Sequence, residues 1–302
     1  MTGGPVPAAP HDPSSCANKP IDSQPFDTRP CHLGEGALWH PERQQLFWFD
    51  ILENRMRSQK DGQALEWQFD EYHSAAGWVD HDRLLIASER GLWLFDVDRG
   101  HRDLIVPLEA DMPETRSNDG RADPQGGFWI GTMGKAAEPD AGAIYRLYRG
   151  KLEPVFQDIT IPNAISFSPD GRTAYFADTA RQVVRRQTLD EDGWPLGPAT
   201  VFLDLAAEGL FPDGAVVDGE GYLWNAQWGA ARVARYAPDG RLDRVVSVGG
   251  RHASCPAFGG PDLSRLFVTT AQEGIANPDA AQGLVYQAGT GIRGQAEHRV
   301  IL

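Results

Sequence analysis

AISFSPDGRTAYFAD, residues 164–178, reads as a short apolar strand, a Pro-Asp-Gly turn and a second apolar strand. Proline presets φ and glycine accepts the left-handed position, so residues 168–172 form a tight hairpin connection. The same plan recurs in GALWH-PERQQ-LFWFD (36–50), AGWVD-HDR-LLIAS (76–88), GRADPQGGFWIGT (120–132), GAVVDGEGYLWNAQ (214–227) and AFGGPDLSRLFVTT (257–270). The last residues of the first strands are His40, Asp80, Asp123, Ser168, Asp218 and Gly260, spaced by 40, 43, 45, 50 and 42 residues. A repeat of that length is the period of a four-stranded propeller blade. Two further strand-like runs complete the unit, as in GLWLFDV (91–97) with DLIVPL (103–108) and AIYRLY (143–148) with LEPVF (152–156). Helical periodicity is nearly absent. A β-solenoid would need polar capping ends, whereas six such units close into a ring. The expectation is an all-β, six-bladed β-propeller with four antiparallel strands per blade, occupying residues 26–302 as one domain. The outermost strand of the last blade comes either from HRVIL (298–302) or from the strand around residues 26–31.

Residues 1–25 are rich in Pro, Gly, Ala and Ser without apolar periodicity, the composition of a disordered leader. The 302 residues include 41% hydrophobic positions, ample for a core. Lys and Arg number 28 against 42 Asp and Glu, a formal charge of −14. Such a surface repels phosphate backbones and anionic membranes, so neither nucleic acid nor membrane is an expected partner. Cys16, Cys31 and Cys255 are odd in number and lack CxxC spacing, which suits reduced thiols. With no signal-peptide pattern, no apolar run long enough to span a bilayer and no Asn-x-Ser/Thr acceptor, the expected location is the cytoplasm. The expected state is a monomer or a small homo-oligomer.

In a propeller the first strand of every blade lines the central channel, which makes equivalent positions of the repeat spatial neighbours. Counting five residues back from each strand-end residue gives Glu35, Ala75, Asn118, Asn163, Asp213 and Cys255. Each polar member taken singly could cap its own turn. Together they place carboxylates and carboxamides at one end of a channel, where mutual repulsion and desolvation call for a cation or a dense donor network. The oxygen donors suit one divalent ion such as Ca²⁺, Mg²⁺ or Mn²⁺, with Zn²⁺ and Fe²⁺ also accommodated through carboxylates. A cation there could polarise a carbonyl and activate water, which points to hydrolysis of an ester-like bond. Other machinery is missing: no Gly-x-Ser-x-Gly elbow and no His-Glu-x-x-His helix occur. The Gly289, Gly291, Gly294 match to a dinucleotide fingerprint has only eight residues after it, too few for a helix and a second strand.

Five stretches carry a resemblance to a known family: LGEGALWH (33–40), RSNDGRADPQGGFWIGTM (116–133), IPNAISFSPDGRTAYFADT (161–179), FPDGAVVDGEGYLWNAQWG (211–229) and CPAFGGPDLSRLFVTTA (255–271). With these the chain resembles the senescence-marker-protein, gluconolactonase and luciferin-regenerating-enzyme family, which includes regucalcin and bacterial sugar lactonases. The resemblance covers roughly residue 33 to the C-terminus. It implies a six-bladed propeller, a carboxylic-ester hydrolase acting on a small sugar lactone, and one catalytic divalent metal ion held by Glu35, Asn163 and Asp213. It implies further that Arg116 and Asn118 contact substrate and that Asp213 takes a proton from the attacking water. Some animal members carry an acidic substrate contact just after Gly-Thr-Met; here the stretch is Gly134, Lys135, Ala136, Ala137, Glu138, so that contact differs. Two readings compete: a metal-dependent phosphotriesterase-like propeller, and a non-catalytic interaction propeller with a structural metal.

Overall fold

The computed structural model describes residues 19–302. Six sheets of four antiparallel strands stand in a ring, one of them extended by a fifth strand. In five of the sheets the four strands follow one another in chain order from the channel outward, and in the sixth the first three do. The inner strands are Gly34–His40, His73–Trp78, Thr115–Ala122, Pro162–Phe167, Phe211–Val217 and His252–Gly259, for blades 1 to 6 in chain order. The chain is therefore a six-bladed β-propeller, as its repeat predicts.

Propeller sheets twist, so each presents two apolar faces and buries both against its neighbours. The apolar interior accordingly divides into six clusters, one per blade interface. Phe47, Phe49, Leu84 and Phe95 fill the gap between blades 1 and 2. Trp129, Ile144, Phe167 and Phe176 do the same between blades 3 and 4, and Trp224, Val233, Phe258 and Leu266 between blades 5 and 6.

The ring is closed by the N-terminal segment. Gln24–Asp27 pairs antiparallel with Val285–Gly289 as the outermost strand of blade 6. Just before it, Ile21–Asp22 pairs in parallel with the outer strand Leu242–Ser247 of blade 5. Of the two closures expected, the N-terminal one occurs, slightly earlier than residues 26–31. Residues 21–25, read as the end of a leader, are mostly strand because they complete two sheet edges that would otherwise stay unpaired. The rest of that leader, residues 1–18, lies outside the described residues.

The C-terminal segment crosses the far end of the channel instead of joining a sheet. Gly294 N donates to Leu263 O, Gln295 Nε2 to both Val217 O and Phe167 O, Ile301 N to Gly126 O and Val300 N to Trp78 O. It thereby touches blades 6, 5, 4, 3 and 2 in turn. Glu297 is buried and forms an ion pair with the buried Arg121 guanidinium inside the channel. The space left around them amounts to about 20 Å³.

Two of the repeat's strand-end aspartates have a structural duty. Asp123 accepts from Gln125 N, Gly127 N, Trp129 Nε1 and Arg146 Nε, the last at 2.7 Å. In blade 5, Asp218 accepts from Glu220 N, Tyr222 N, Trp224 Nε1 and Arg235 Nε at matching places. One carboxylate thus closes the first hairpin and ties it to the third strand. Among the described residues no helix is long and apolar enough to cross a membrane.

Candidate active site

Each inner strand changes register with its partner near its N-terminal end. The shifts fall between Glu35 and Leu38, His73 and Ala75, Ser117 and Gly120, Asn163 and Ser166, Pro212 and Ala215, and Ala253 and Pro256. A bulge re-aims side chains and lifts the strict alternation of faces. After Glu35 and after Asn163 the chain turns through the left-handed region, at Gly36 (φ 58°) and Ala164 (φ 57°). A Cβ on Gly36 would stand 2.1 Å from Ser74 O of blade 2, so only glycine fits there. Ala164 tolerates a conformation that costs an L-residue about 1–2 kcal/mol.

The bulges bring Glu35, Arg116, Asn118, Asn163 and Asp213 to the floor of one cavity of about 770 Å³ at the open end of the channel. All five are buried, none more than 9% exposed. Ala75 and Cys255, the other two members of the sequence column, do not line it. Ala75 is itself paired, opposite Ala87, and packs between blades 2 and 3. Cys255 is the second residue after the last paired one, Ala253, and packs with Ala37 and Trp39. Its thiol is buried and pushed far up by desolvation, then by the Glu35 and Asp119 charges, so it stays protonated. Cys255→Ala is expected to cost about 1 kcal/mol of stability, the worth of one small buried group. Divalent-ion affinity should be unchanged, as checked by urea denaturation and calorimetric titration.

A hydrogen-bonded arc fixes the floor. Arg116 Nη1 donates to Asn118 Oδ1 and to Ser117 O, both at 2.9 Å. Asn118 Nδ2 donates to Pro162 O at 3.0 Å and to Asn163 Oδ1 at 3.1 Å. Asn163 Nδ2 donates to Thr179 Oγ1 at 2.8 Å, and Thr179 Oγ1 donates to Pro212 O at 2.6 Å. Glu35 Oε2 accepts from Gly36 N at 3.1 Å.

The electrostatics of the floor are strained. Burial above all, then the Asp119 charge, pushes the Glu35 carboxyl up to about 8, against the pull of the Gly36 N–H and Arg116. Burial followed by the Glu35 and Asp119 charges raises Asp213 well above the usual carboxylate range. Asp119, which accepts from Ile165 N at 2.7 Å, is raised to about 6, again mainly by burial. Burial opposes the Arg116 charge while Glu273, Glu35 and Asp213 favour it. Two mutually repelling buried carboxylates beside a carboxamide oxygen form the donor pattern that a hard divalent cation relieves. Among the described residues no three His, Cys, Asp or Glu side chains group as ligands. A site here needs the carboxamide of Asn163 as its third donor.

Other groups at this cavity were not legible in the sequence column. Thr179 lines the cavity and ends the stretch IPNAISFSPDGRTAYFADT; Asp119, directly after Asn118, does not line it, but its charge acts on Glu35 and Asp213. His252 and Trp228 stack at 4.2 Å with 19° between planes and form part of the wall with Phe211 and Ile161. Burial lowers the His252 imidazole, leaving it neutral at pH 7. Lys135 lies at the rim, where its ammonium pairs with Glu89 and donates to Pro113 O at 2.8 Å. Glu138 turns back onto its own loop and accepts from Ala136 N at 3.1 Å, so the 134–138 stretch presents Lys135, Ala136 and Ala137 to the cavity.

Comparison with known proteins agrees with this architecture. The chain is 36% identical over 281 residues to an L-arabinolactonase of Azospirillum brasilense, covering 88% of this chain and 91% of that protein. It is 31% identical to a 6-deoxy-6-sulfogluconolactonase of Pseudomonas putida over 277 residues, 89% and 95% of the two chains. The crystal structure of a calcium-binding protein, regucalcin, from Agrobacterium tumefaciens superposes with a TM-score of 0.91 at 40% identity, covering 94% of this chain and 98% of that one. A family model described as SMP-30/Gluconolactonase/LRE-like region matches residues 33–272. With the inner strands of all six blades and Glu35, Arg116, Asn118, Asn163 and Asp213 inside that match, the chain belongs to the SMP-30/gluconolactonase/LRE-like family.

Proposed function

We propose that this protein hydrolyses a sugar lactone to the corresponding hydroxy acid, using one divalent cation held by Glu35, Asn163 and Asp213. The observation that carries the reading is the meeting of two buried carboxylates, a carboxamide and a buried arginine on the floor of a single cavity. Relatives named as lactonases, at 36% and 31% identity over most of their length, support the reaction class. A cation bound there would supply Lewis-acid polarisation of an ester carbonyl.

The chain's own groups have the following parts. The Asn163 carboxamide presents Oδ1 and the two carboxylates present oxygens, which matches the ligand preference of Ca²⁺, Mg²⁺ or Mn²⁺ and admits Zn²⁺ or Fe²⁺. Asp213 takes a proton from the attacking water at a carboxylate oxygen. A carboxylate next to a cation is ordinarily a weak base, and the burial that raises Asp213 acts in the opposite direction. Arg116 spends Nη1 on Ser117 and Asn118 and directs its remaining donors to substrate oxygens. Asn118, with both amide protons engaged, offers substrate a lone pair on Oδ1 and otherwise holds its neighbours in place.

A panel of aldonolactones assayed by acid release, after chelation and readdition of single divalent ions, tests the proposal. Turnover that needs a cation supports it. Turnover of a phosphotriester alone, or of no lactone under any ion, refutes it. Arg116→Ala is expected to lower kcat/KM by on the order of 10²-fold, the range for removing a charged donor from a reacting oxygen, while divalent-ion affinity stays within twofold. Wild-type kcat/KM in that variant on the best lactone would remove Arg116 from substrate recognition.

A further inference from the structure

We propose that Thr179 is a positioning residue for the cation site: its hydroxyl fixes which end of the Asn163 carboxamide faces the cavity. This rests on the cation reading above. The argument starts from two backbone carbonyls, which can only accept. Pro212 O lies 2.6 Å from Thr179 Oγ1, so the single hydroxyl proton of Thr179 is committed to it. Towards Asn163, 2.8 Å away, the same oxygen can then only accept, and it must meet the NH2 end of the amide. That leaves Asn163 Oδ1 turned to the cavity floor.

The other side of the arc gives the same answer independently. Pro162 O, 3.0 Å from the Asn118 amide, requires the NH2 end of Asn118 there, and the second proton of that group reaches Asn163 Oδ1 at 3.1 Å. One lone pair of Oδ1 is used by Asn118 and one remains for a cation. Asparagine oxygen and nitrogen are nearly isosteric, so nothing in the shape of the side chain alone would prevent the reverse orientation, which would turn two protons towards a cation. Thr179 on one side and the Asn118 amide on the other both make the reverse orientation unfavourable, and of the two only Thr179 meets the NH2 end of Asn163.

Its location adds a second effect. Thr179 opens the short 3-10 turn Thr179–Arg181 of blade 4, and Asp178 caps that turn by accepting from Ala180 N. Pro212 belongs to blade 5 and immediately precedes Asp213. The hydroxyl therefore links the Asn163 side chain to the backbone that carries Asp213, across a blade boundary. Groups that orient metal ligands through a hydrogen bond typically contribute 10- to 100-fold in metal affinity.

The experiment is calorimetric titration of Ca²⁺ and of Mn²⁺ into chelator-treated wild type, Thr179→Val, Thr179→Ala and Thr179→Ser, with urea denaturation of each. Valine keeps the shape and loses the hydroxyl; alanine adds no steric demand if valine fails to fold; serine keeps the hydroxyl. The expected result is a Kd raised about 10- to 100-fold in the valine or alanine variant and restored to within about threefold by serine. Equal affinity in wild type and in a folded Thr179→Val or Thr179→Ala overturns the role of Thr179 alone. Weak binding by serine as well as valine overturns it too, since the hydroxyl would then not be what matters. Wild type that binds neither of these ions, nor Mg²⁺, Zn²⁺ or Fe²⁺ titrated in the same way, removes the cation reading and this inference together.

Discussion

Asp213→Ala is expected to abolish divalent-ion binding and to lower lactone hydrolysis by on the order of 10³-fold or more, because the function proposed above makes Asp213 both a ligand and the water-activating base. Glu35→Ala should lose the ion to a similar degree and leave the base in place, so its residual rate should exceed that of Asp213→Ala. The fold should survive both. Burial and the neighbouring acidic charges disfavour ionised Glu35 and Asp213, and deleting one relieves the other. In chelator, Asp213→Ala is therefore expected to match wild type or exceed it in urea midpoint. A carboxyl raised to about 8 in the folded state holds more protons than in the unfolded chain, so its contribution favours folding at low pH and is lost as pH rises through 8. Metal-free wild type should lose stability across that window and Glu35→Ala should lose less. Full activity in metal-stripped protein, or an Asp213→Ala variant that retains both binding and turnover, contradicts the assignment.

Asp123→Ala is expected to destabilise the protein by about 3–5 kcal/mol, the range for leaving one partner of a buried ion pair uncompensated. Arg146 has no solvent exposure, and its Nε and Nη2 reach only Asp123 and the Asp192 carbonyl. Without Asp123 the guanidinium, two backbone N–H groups and the Trp129 indole lose their acceptor together. Replacing Asp123 by Leu and Arg146 by Met together should recover the part of the loss due to the uncompensated guanidinium, while the two backbone N–H groups and the Trp129 indole stay without their acceptor. Glu191→Ala, whose partner Arg172 is exposed alongside it, should leave the midpoint unchanged. Urea denaturation of the four proteins decides; equal midpoints for Asp123→Ala and Glu191→Ala would show that the pair does not stabilise blade 3.

The propeller was legible because hairpin turns and strand lengths repeat with a period that varies little. That regularity let residues scattered between 35 and 213 be assigned to one place. Of the six residues in the count, Ala75 and Cys255 are buried among apolar side chains and do not line the cavity, and the bulges explain why. A one-residue slip along a strand moves a side chain to the other face, and the strands do not all enter their bulge at the same step. Glu35 and Asn163 are the last paired residues before the bulge, while Asn118 and Asp213 follow the last paired ones, Ser117 and Pro212. Composition misled at residues 21–25, where a Pro- and Ser-containing stretch draws its order from two waiting sheet edges, not from its own propensity. Thr179 could not be singled out because its part depends on a carbonyl in another blade, and Asp119 was overshadowed by the asparagine before it.

The C-terminal segment laid across the far end of the channel makes the vessel single-mouthed. Reactant and product must share one doorway, so a departing molecule and an arriving one compete for it. For a lactonase the two differ in charge: the ring-closed reactant is neutral at the reacting group, whereas the opened acid is an anion at neutral pH. A chain of formal charge −14 repels that anion. The long-range field then acts as a valve, hastening clearance without hindering arrival. Its force fades with added salt, as the Debye length falls from about 10 Å at 0.1 M to about 3 Å at 1 M. Inhibition by accumulated acid should accordingly deepen as ionic strength rises.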